Sequence, residues 1–249
     1  MTVSRQASPS PPSGFLIVDK PVGITSHGVV QRIRRALRLR KVGHLGTLDP
    51  VGTGVLVLAV GKATKAVKHF INDDKVYLTS LRLGLVTDTQ DIEGKVLSEA
   101  PCPSLSPDVI EKTLQLFRDD IQQIPPMVSA KKVQGRRLYK LHRKGIEIPR
   151  EPKSVFIKRL DLLNVNLPEI TFLVECSKGT YVRTLCADIG DKLGPGACML
   201  RLCRLRSGFF YLRDARSLKA LEAMPRERIA SLLLPLGVAM EKKLRCQRT

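Results

Sequence analysis

The chain has 249 residues, enough to bury the core of one large domain, and its 43% hydrophobic content excludes a wholly disordered protein. The 42 Lys and Arg against 23 Asp and Glu give a formal net charge of +19 at pH 7, which predicts a polyanionic partner, nucleic acid before membrane. Aromatic residues make up 4% and Trp is absent, which argues against a broad base-stacking surface and favours binding through phosphate contacts and shape.

The sequence has neither a membrane segment nor a secretion signal. No apolar run approaches the roughly 20 residues that a membrane span needs, and the N-terminal stretch MTVSRQASPSPPSG lacks the apolar core of a signal peptide. We therefore expect a cytoplasmic protein with no membrane partner, whose six cysteines are reduced. There is no C-x-x-C, and the four histidines are not in ligand spacing with the cysteines, so we expect no metal site. Residues 56–63, LVLAVGKA, lack the leading glycine and the final Ser or Thr of a phosphate-binding loop, and we expect no cofactor.

The N-terminal part predicts a tail, a strand and a helix. Residues 1–13 are rich in Ser, Pro and polar residues and should form a disordered tail. Residues 14–18 are typical of a short buried strand, and Ser26 is placed to cap a helix whose apolar residues recur at helical spacing. Arginines cover the other faces of this helix, either as an ordinary solvated surface or as RNA contacts.

The rest of the chain is organised around residues 41–65, KVGHLGTLDPVGTGVLVLAVGKATK. The first half has four glycines, no apolar period and a single acid, Asp49, whose backbone is restricted by the following Pro50. Residues 55–60 are an unbroken apolar run, which predicts a strand buried on both faces. A loop anchored to such a strand is a candidate site, although a glycine-rich connection whose aspartate caps a turn would have a similar composition.

The next segment predicts a short helix, a strand, a polar turn and a second helix. The helix covers residues 63–71, and the alternating pattern over 75–85 predicts a strand that contains Tyr77. Residues 87–94, TDTQDIEG, indicate a polar turn that could be an ordinary loop or a weak metal site. After a proline-rich linker, residues 108–118 have the apolar stripe of a core helix.

A strongly basic segment follows at residues 123–150. Its one acid is Glu147, and its many Lys and Arg would repel one another without a counter-charge. This composition favours a phosphate-binding segment over a merely soluble surface.

The C-terminal third predicts two strands, a helix, a further strand and short helices. These predicted elements are, in order, strands over 154–166 and 170–176, a helix over 181–193, a strand over 198–211 and one or two helices within 214–240. Arg183 then lies in the first turn of the helix that Tyr181 opens. On the residues alone, Arg183 is either a surface arginine or part of a site.

Taken without any family, the residues suggest an RNA-acting enzyme with carboxylate chemistry. Asp49 is a lone acid in a glycine-rich loop, Tyr77 supplies an aromatic ring, and Arg183 lies at the start of a helix. The basic segment 123–150 lies between Tyr77 and Arg183 in the sequence. An aspartate side chain is normally ionised at neutral pH, so it can serve as a nucleophile or as a base.

Several stretches resemble motifs of the TruB family of tRNA pseudouridine synthases. GHLGTLDPVGTGVLVLAVGKATK is similar to the catalytic motif, and KPVGITS and CSKGTYVRTLCADIGDKLG resemble motifs on either side of it. Lys75, Tyr77 and the stretch TDTQDIEG match a further motif, and PPMVSAKKVQGRRLY resembles the basic flap of the family. The resemblance covers about residues 14–236. In the family motif close to L-R-R-T-x-x-G-x-F, Cys203 and Leu205 depart from the pattern, whereas the matching residues are Leu202, Arg204, Gly208 and Phe210.

The resemblance implies a fold, a domain plan and a partner. The fold would be α+β, the pseudouridine-synthase fold, with a mixed, mostly antiparallel sheet flanked by helices and a central RNA-binding cleft. Residues 14–240 would be the catalytic domain, with 123–150 inserted as an RNA-binding flap, and 241–249 a C-terminal tail. Many relatives continue into a PUA-type domain, for which too few residues remain. We expect a monomer whose partner is the T arm of tRNA.

The implied reaction is isomerisation of the T-loop uridine at position 55 to pseudouridine, in which a flipped base leaves the sugar through nitrogen and rejoins it through carbon. Asp49 maps onto the catalytic carboxylate, which either attacks the anomeric carbon or removes a neighbouring proton. Arg183 would pair with Asp49 and orient it. Tyr77 would stack on the uracil and take the proton from the ring carbon, Leu202 would pack on the other side, and His44 would fill the vacated stack.

The remaining residues that the resemblance assigns support the loop or contact the substrate. They are Lys20, Gly43, Thr47, Lys65, Asp91, Tyr181 and, in the flap, Lys131, Lys132, Arg136 and Arg137. Two other classes of function stay open, a non-catalytic RNA-folding or tRNA-binding protein on the same scaffold and a basic ribosomal protein. Neither needs the combination of Asp49, Tyr77 and Arg183, which weighs against both.

Overall fold

The computed structural model describes residues 11–129, 132–133, 136–138 and 145–246, and for 132–133 and 136–137 it describes the backbone alone. Most of the predicted disordered tail, 1–13, therefore lies outside the described residues. At its end Ser13 contacts the fold, because its Oγ donates to the carbonyl oxygen of Val60 at 3.3 Å and accepts from the backbone N–H of Ala63 at 3.2 Å. The ordered part of the chain begins before residue 14.

The strands in the described residues are numbered in chain order. They are β1 (Gly14–Lys20), β2 (Val42–His44), β3 (Gly52–Val60), β4 (Lys75–Leu83), β5 (Leu85–Thr87), β6 (Val96–Glu99), β7 (Asp119–Gln123), β8 (Lys132–Val133), β9 (Arg136–Arg137), β10 (Lys153–Asn166), β11 (Glu169–Cys176), β12 (Ala197–Ser207), β13 (Phe210–Tyr211) and β14 (Arg216–Ser217).

The helices are numbered in the same way. They are α1 (Ser26–Leu37), α2 (Val67–Phe70), α3 (Pro107–Gln115), α4 (Val182–Leu193), α5 (Leu218–Ala223), α6 (Arg226–Ser231) and α7 (Leu236–Cys246), with 3-10 turns at Gly61–Ala66 and Leu212–Asp214. The helix predicted over 63–71 is thus divided between a 3-10 turn and α2. Within the described ranges, no helix is both long and apolar enough to cross a membrane.

Ten of the described strands form one sheet. Its order is β14-β1-β3-β12-β4-β11-β10-β7, with β2 paired to β3 and β13 paired to β12. The pairs β1–β14 and β3–β12 are parallel, and the other pairs are antiparallel. A mixed, mostly antiparallel sheet with helices on its faces confirms the predicted α+β class.

Strand β3 is buried on both faces, as its apolar run predicts. Leu56 and Leu58 pack into a cluster with α1, whereas Val55 and Val57 pack into a second cluster on the other face, which includes Phe15. Because side chains alternate across a strand, both faces contribute to the core. The loop that precedes β3 is therefore anchored to the most buried part of the sheet.

The N-cap of α1 is Thr25, so the prediction of Ser26 as the cap is wrong. The Thr25 side chain accepts a hydrogen bond from the backbone N–H of Gly28 at 2.9 Å. Ser26 is buried and its hydroxyl bonds to Leu48 instead. Both residue types are good caps, and a long-range partner decides between them.

The C-terminal region contains more helix than the sequence predicts. Three helices, α5 to α7, replace the one or two expected within 214–240, and α7 runs to Cys246, so residues 241–246 of the predicted tail are helical. Ala239 on α7 is fully buried, and Lys243 bonds to the carboxylate of Asp73. These contacts with the body of the fold stabilise the last turns of α7.

Candidate active site

The loop that carries Asp49 is fixed by hydrogen bonds from the connection between β1 and α1. The Ser26 hydroxyl donates to the carbonyl oxygen of Leu48 and accepts from its backbone N–H, both at 2.8 Å. The N–H of Gly23 donates to the carbonyl oxygen of Pro50 at 2.9 Å. The residues on both sides of Asp49 are thus held by a segment about 25 residues earlier in the chain.

Lys20, at the end of β1, adds a buried cation to this support. Its Nζ donates to the carbonyl oxygens of Pro21 and Ile24 at 2.8 Å and of Pro50 at 3.2 Å. Burial lowers the pKa of Lys20 to about 8, and the negative charge of Asp49 opposes this shift. Its hydrogen bonds in the described residues all go to the backbone, so Lys20 shapes the loop.

Arg204 on β12 holds the other side of the loop, and it is a residue that the sequence analysis did not select. It is 2% exposed, and its guanidinium donates to the carbonyl oxygens of Val55 at 2.7 Å, Gly46 at 3.2 Å and Thr47 at 3.3 Å. A Cβ on Gly54 would lie 2.4 Å from the carbonyl oxygen of Arg204, which requires glycine there. The match of Arg204 to the family motif close to L-R-R-T-x-x-G-x-F was the available signal.

The structure brings Arg183 to Asp49. The Arg183 Nε lies 3.0 Å from Asp49 Oδ2, and the arginine side chain is 4% exposed whereas that of Asp49 is 34% exposed. Arg183 also donates to the carbonyl oxygens of Thr89 at 2.8 Å and Val128 at 2.7 Å, and its Nη1 lies 3.6 Å from Asp91 Oδ2. A buried guanidinium with this many partners fixes the direction of the Asp49 carboxylate.

Asp91 organises the polar turn that supports Arg183 from behind. It accepts from the Thr89 hydroxyl at 2.7 Å and from the backbone N–H of Glu93 at 3.2 Å. Burial raises the pKa of Asp91, and Thr89 and Arg183 oppose that shift. No group of three or more His, Cys, Asp or Glu in the described ranges could hold a metal ion.

A cavity of about 270 Å³ lies beside the ion pair. Its wall includes six of the residues selected from the sequence, which are Thr47, Asp49, Tyr77, Tyr181, Arg183 and Leu202. Tyr77 lies on β4 directly opposite Arg204 of β12, and Leu202 is two residues earlier on β12. Two neighbouring strands, the loop that carries Asp49 and the start of α4 therefore converge on one pocket.

Tyr77 is a neutral phenol in this cavity. It is 8% exposed, and burial raises its pKa, an effect that the positive charge of the nearby Arg204 opposes. An aromatic ring in the wall can stack on a base, and its hydroxyl can exchange a proton when the developing phenolate is stabilised by Arg204.

The backbone of Tyr181 is clamped at the start of α4. The buried side chain of Gln123 accepts from the N–H of Tyr181 at 3.0 Å and donates to its carbonyl oxygen at 3.2 Å. This clamp sets the direction in which α4 begins, and with it the position of Arg183 two residues later. Gln123 is the last residue of β7, so the clamp also connects α4 to the point where the flap leaves the sheet.

Other predicted site residues lie outside the cavity wall. Lys65 is exposed on a 3-10 turn, and a Cβ on Gly43 would meet no atom within 4 Å. His44 on β2 is half-buried, and burial together with the charge of Arg204 lowers its pKa, so its imidazole is neutral at pH 7. Lys20 and Asp91 also lie behind the wall and act on the site through Asp49 and Arg183.

The flap is only partly described. Lys131 lies outside the described residues, while the backbones of Lys132 and Arg136–Arg137 form the short hairpin β8–β9. Leu138 is buried with Met127, which attaches the hairpin to the segment that contacts Arg183.

Family models match most of the chain. Residues 34–182 match the TruB family pseudouridylate synthase (N terminal domain), and residues 183–241 match the tRNA pseudouridylate synthase B C-terminal domain. The second match begins at Arg183, and Asp49 lies in the first match. The ion pair between these two residues therefore connects the two matched regions.

Individual proteins give the same result. The tRNA pseudouridine synthase B of Syntrophotalea carbinolica is 49% identical over 92% of this chain and 75% of its own length. The protein of the same name from Clostridium kluyveri is 45% identical over 91% of this chain and 77% of its own length. A chain from the crystal structure of a Cbf5-Nop10-Gar1 complex matches this protein with a TM-score of 0.72 and 29% identity. The match covers 92% of this protein and 62% of the chain in the complex. The chain belongs to the TruB family of pseudouridylate synthases.

Proposed function

We propose that this protein is a tRNA pseudouridine synthase that isomerises the T-loop uridine at position 55. The bond from uracil N1 to the sugar C1′ breaks, a bond from C5 to C1′ forms, C5 loses its proton and N1 gains one. The rearrangement is redox-neutral, and we propose that it needs no cofactor or metal. The observation that carries the proposal is the Asp49–Arg183 ion pair in the wall of a cavity that also contains Tyr77 and Leu202.

The residues of the cavity fit separate roles in this reaction. Asp49 presents its partly exposed carboxylate to the sugar, held in direction by the buried Arg183. Tyr77 and Leu202 hold the uracil between them. Once Tyr77 has lost its proton to form a phenolate, which the positive charge of Arg204 stabilises, it accepts the proton from C5.

The substrate must be extruded before it can reach the cavity. Unstacking a loop nucleotide costs a few kcal/mol, which contacts elsewhere on the RNA must offset. We propose that His44 fills the vacated stack and that Lys65 and Tyr181 contact the nucleotide or its neighbours. The flap residues Lys131, Lys132, Arg136 and Arg137 would bind phosphates of the T arm. We also propose that the protein acts as a monomer in the cytoplasm.

The test is to map pseudouridine in tRNA from a strain deleted for this protein, and in unmodified tRNA transcript treated with the purified protein. We expect the T-loop pseudouridine to be absent from the deletion strain, restored by the wild-type gene and formed on the transcript. A deletion strain with unchanged T-loop pseudouridine, together with a purified protein that modifies no transcript, would overturn the proposal.

A further inference from the structure

A short turn at the base of the flap is held against the site by the arginine that orients Asp49. The carbonyl oxygen of Val128 accepts from Arg183 Nη2 at 2.7 Å, and the N–H of Ser129 donates to the carbonyl oxygen of Met127 at 2.9 Å. Val128 and Ser129 both line the cavity that contains Asp49. The position of Ser129 is thus coupled to the ion pair.

The hydroxyl of Ser129 has no hydrogen-bond partner within the described part of the chain. The residue is 6% exposed, and its Oγ is one of the buried polar side-chain atoms without a partner there. Buried polar groups in folded proteins nearly always have a partner, and one without a partner in a cavity wall is explained when a ligand supplies it.

The other atoms of this kind lie elsewhere. They are Arg34 Nε, His44 Nδ1, Ser80 Oγ and Arg150 Nε, and none of these residues lines the cavity beside Asp49. Ser80 is instead in the wall of a second cavity, of about 550 Å³, and is 4% exposed. Ser80 and Ser129 therefore have the same side chain, similar burial and a hydroxyl without a partner in the described residues, but of the two only Ser129 lines the cavity beside Asp49.

We propose that the Ser129 hydroxyl hydrogen-bonds the target nucleotide, at a polar group of its uracil or of its ribose. A hydroxyl both donates and accepts, so it can pair with a uracil carbonyl or with a sugar hydroxyl. Being neutral and buried, it suits these neutral groups better than a phosphate. This inference rests on the proposed function and makes Ser129 a positioning residue for that reaction.

The test compares Ser129→Ala with Ser80→Ala, which removes an unpaired buried hydroxyl away from the site. Affinity for a T-arm stem-loop and single-turnover conversion are measured for both variants and the wild type. We expect Ser129→Ala to weaken binding roughly tenfold, the size expected for one hydrogen bond, and to slow conversion, while Ser80→Ala matches the wild type in both. If Ser129→Ala also matches the wild type, the inference is wrong.

Two altered RNAs then separate a contact from a structural effect. One carries 2′-deoxyuridine at the target position and the other an abasic nucleotide, and dissociation constants are measured for both. The affinity loss of Ser129→Ala should vanish with the first RNA if the partner is the ribose hydroxyl, and with the second if it is the uracil. A loss that persists with both overturns the inference, whereas a wild type that converts no uridine contradicts the proposed function itself.

Discussion

At the scale of single residues, the site depends on side chains that bond to several groups in different directions at once. Arg183 contacts two carboxylates and two backbone carbonyls while it is almost fully buried. A planar guanidinium can serve these directions together, and an ammonium cannot. The orientation of Asp49 therefore depends on an arginine and not merely on a positive charge.

Replacing Arg183 by Lys should lower the single-turnover rate roughly 10- to 100-fold, because at least one charged hydrogen bond is lost and the carboxylate is freed to rotate. Arg201→Lys is the matched control, since Arg201 is 74% exposed and pairs with a surface glutamate. The rates are measured with saturating enzyme on T-arm RNA. Equal rates for the two variants would contradict this account of Arg183.

Lys20 gives a prediction about pH. Its pKa is lowered to about 8 by burial, from 10.5. Between these values the unfolded chain binds more protons at this position than the folded chain, so the contribution of Lys20 to the free energy of unfolding rises with pH from about 8 to 10.5. Below pH 8 both states are protonated and the contribution is constant at its lowest value.

The measurement is the difference in the free energy of unfolding between wild type and Lys20→Met, obtained by urea titration from pH 7 to 10.5. Taking the difference removes other titrating groups, such as Tyr77, whose raised pKa acts in the opposite sense. We expect the wild type to gain stability relative to the variant above pH 8. A difference that stays flat, or that falls with pH, would show that Lys20 is not desolvated in the folded state.

At the scale of elements, local patterns predicted the long strands well and long-range polar partners poorly, whereas the mixed sheet was expected from the family resemblance. The apolar run of β3 and the start of α4 follow from periodicity and turn residues. The prediction of Ser26 as a helix cap is wrong because its hydrogen-bond partner, Leu48, lies 22 residues away. The support that Arg204 gives the loop could not be predicted because its partner Val55 lies 149 residues away. The Asp49–Arg183 pair was found only through the family resemblance, since no local pattern links the two residues.

The helix α7 reaches back to the site through Lys243. Its Nζ donates to the carbonyl oxygen of His69 and to the carboxylate of Asp73, and the backbone of Asp73 accepts from Lys75, which lines the cavity. Lys243→Ala should weaken this attachment, lowering the free energy of unfolding by about 1–2 kcal/mol.

The same variant should speed hydrogen exchange over residues 69–75, where the turn loses its anchor. Lys242→Ala is the control, because Lys242 is the exposed neighbour on the same helix. Identical exchange in the two variants would mean that α7 does not support the turn.

The flap allows an electrostatic prediction. Neutralising Lys131, Lys132, Arg136 and Arg137 should weaken tRNA binding and flatten its salt dependence, since each lost phosphate contact lowers the log–log slope by about 0.9 for duplex. As a control for net charge, four exposed basic residues of the C-terminal helices are neutralised, which are Lys219, Arg226, Arg228 and Lys242. If the flap variant keeps the wild-type slope, its basic residues do not contact the phosphates.

At the scale of the whole molecule, a strongly basic chain contains a small cavity whose wall includes the ion pair of Asp49 with the buried Arg183. The net charge of +19 brings a polyanion to the surface without selecting a reaction. The proposed chemistry instead depends on a loop, two central strands and one helix that meet at Asp49. Binding and conversion should therefore be separable by a single substitution.

Asp49→Asn makes that separation with almost no change in shape. The purified variant and the wild type are compared for their dissociation constant with tRNA and for pseudouridine formed at the T-loop position. The account predicts nearly unchanged binding and no detectable product, because the amide keeps the contacts of the loop but lacks the reactive carboxylate. A variant that still converts the uridine would contradict it.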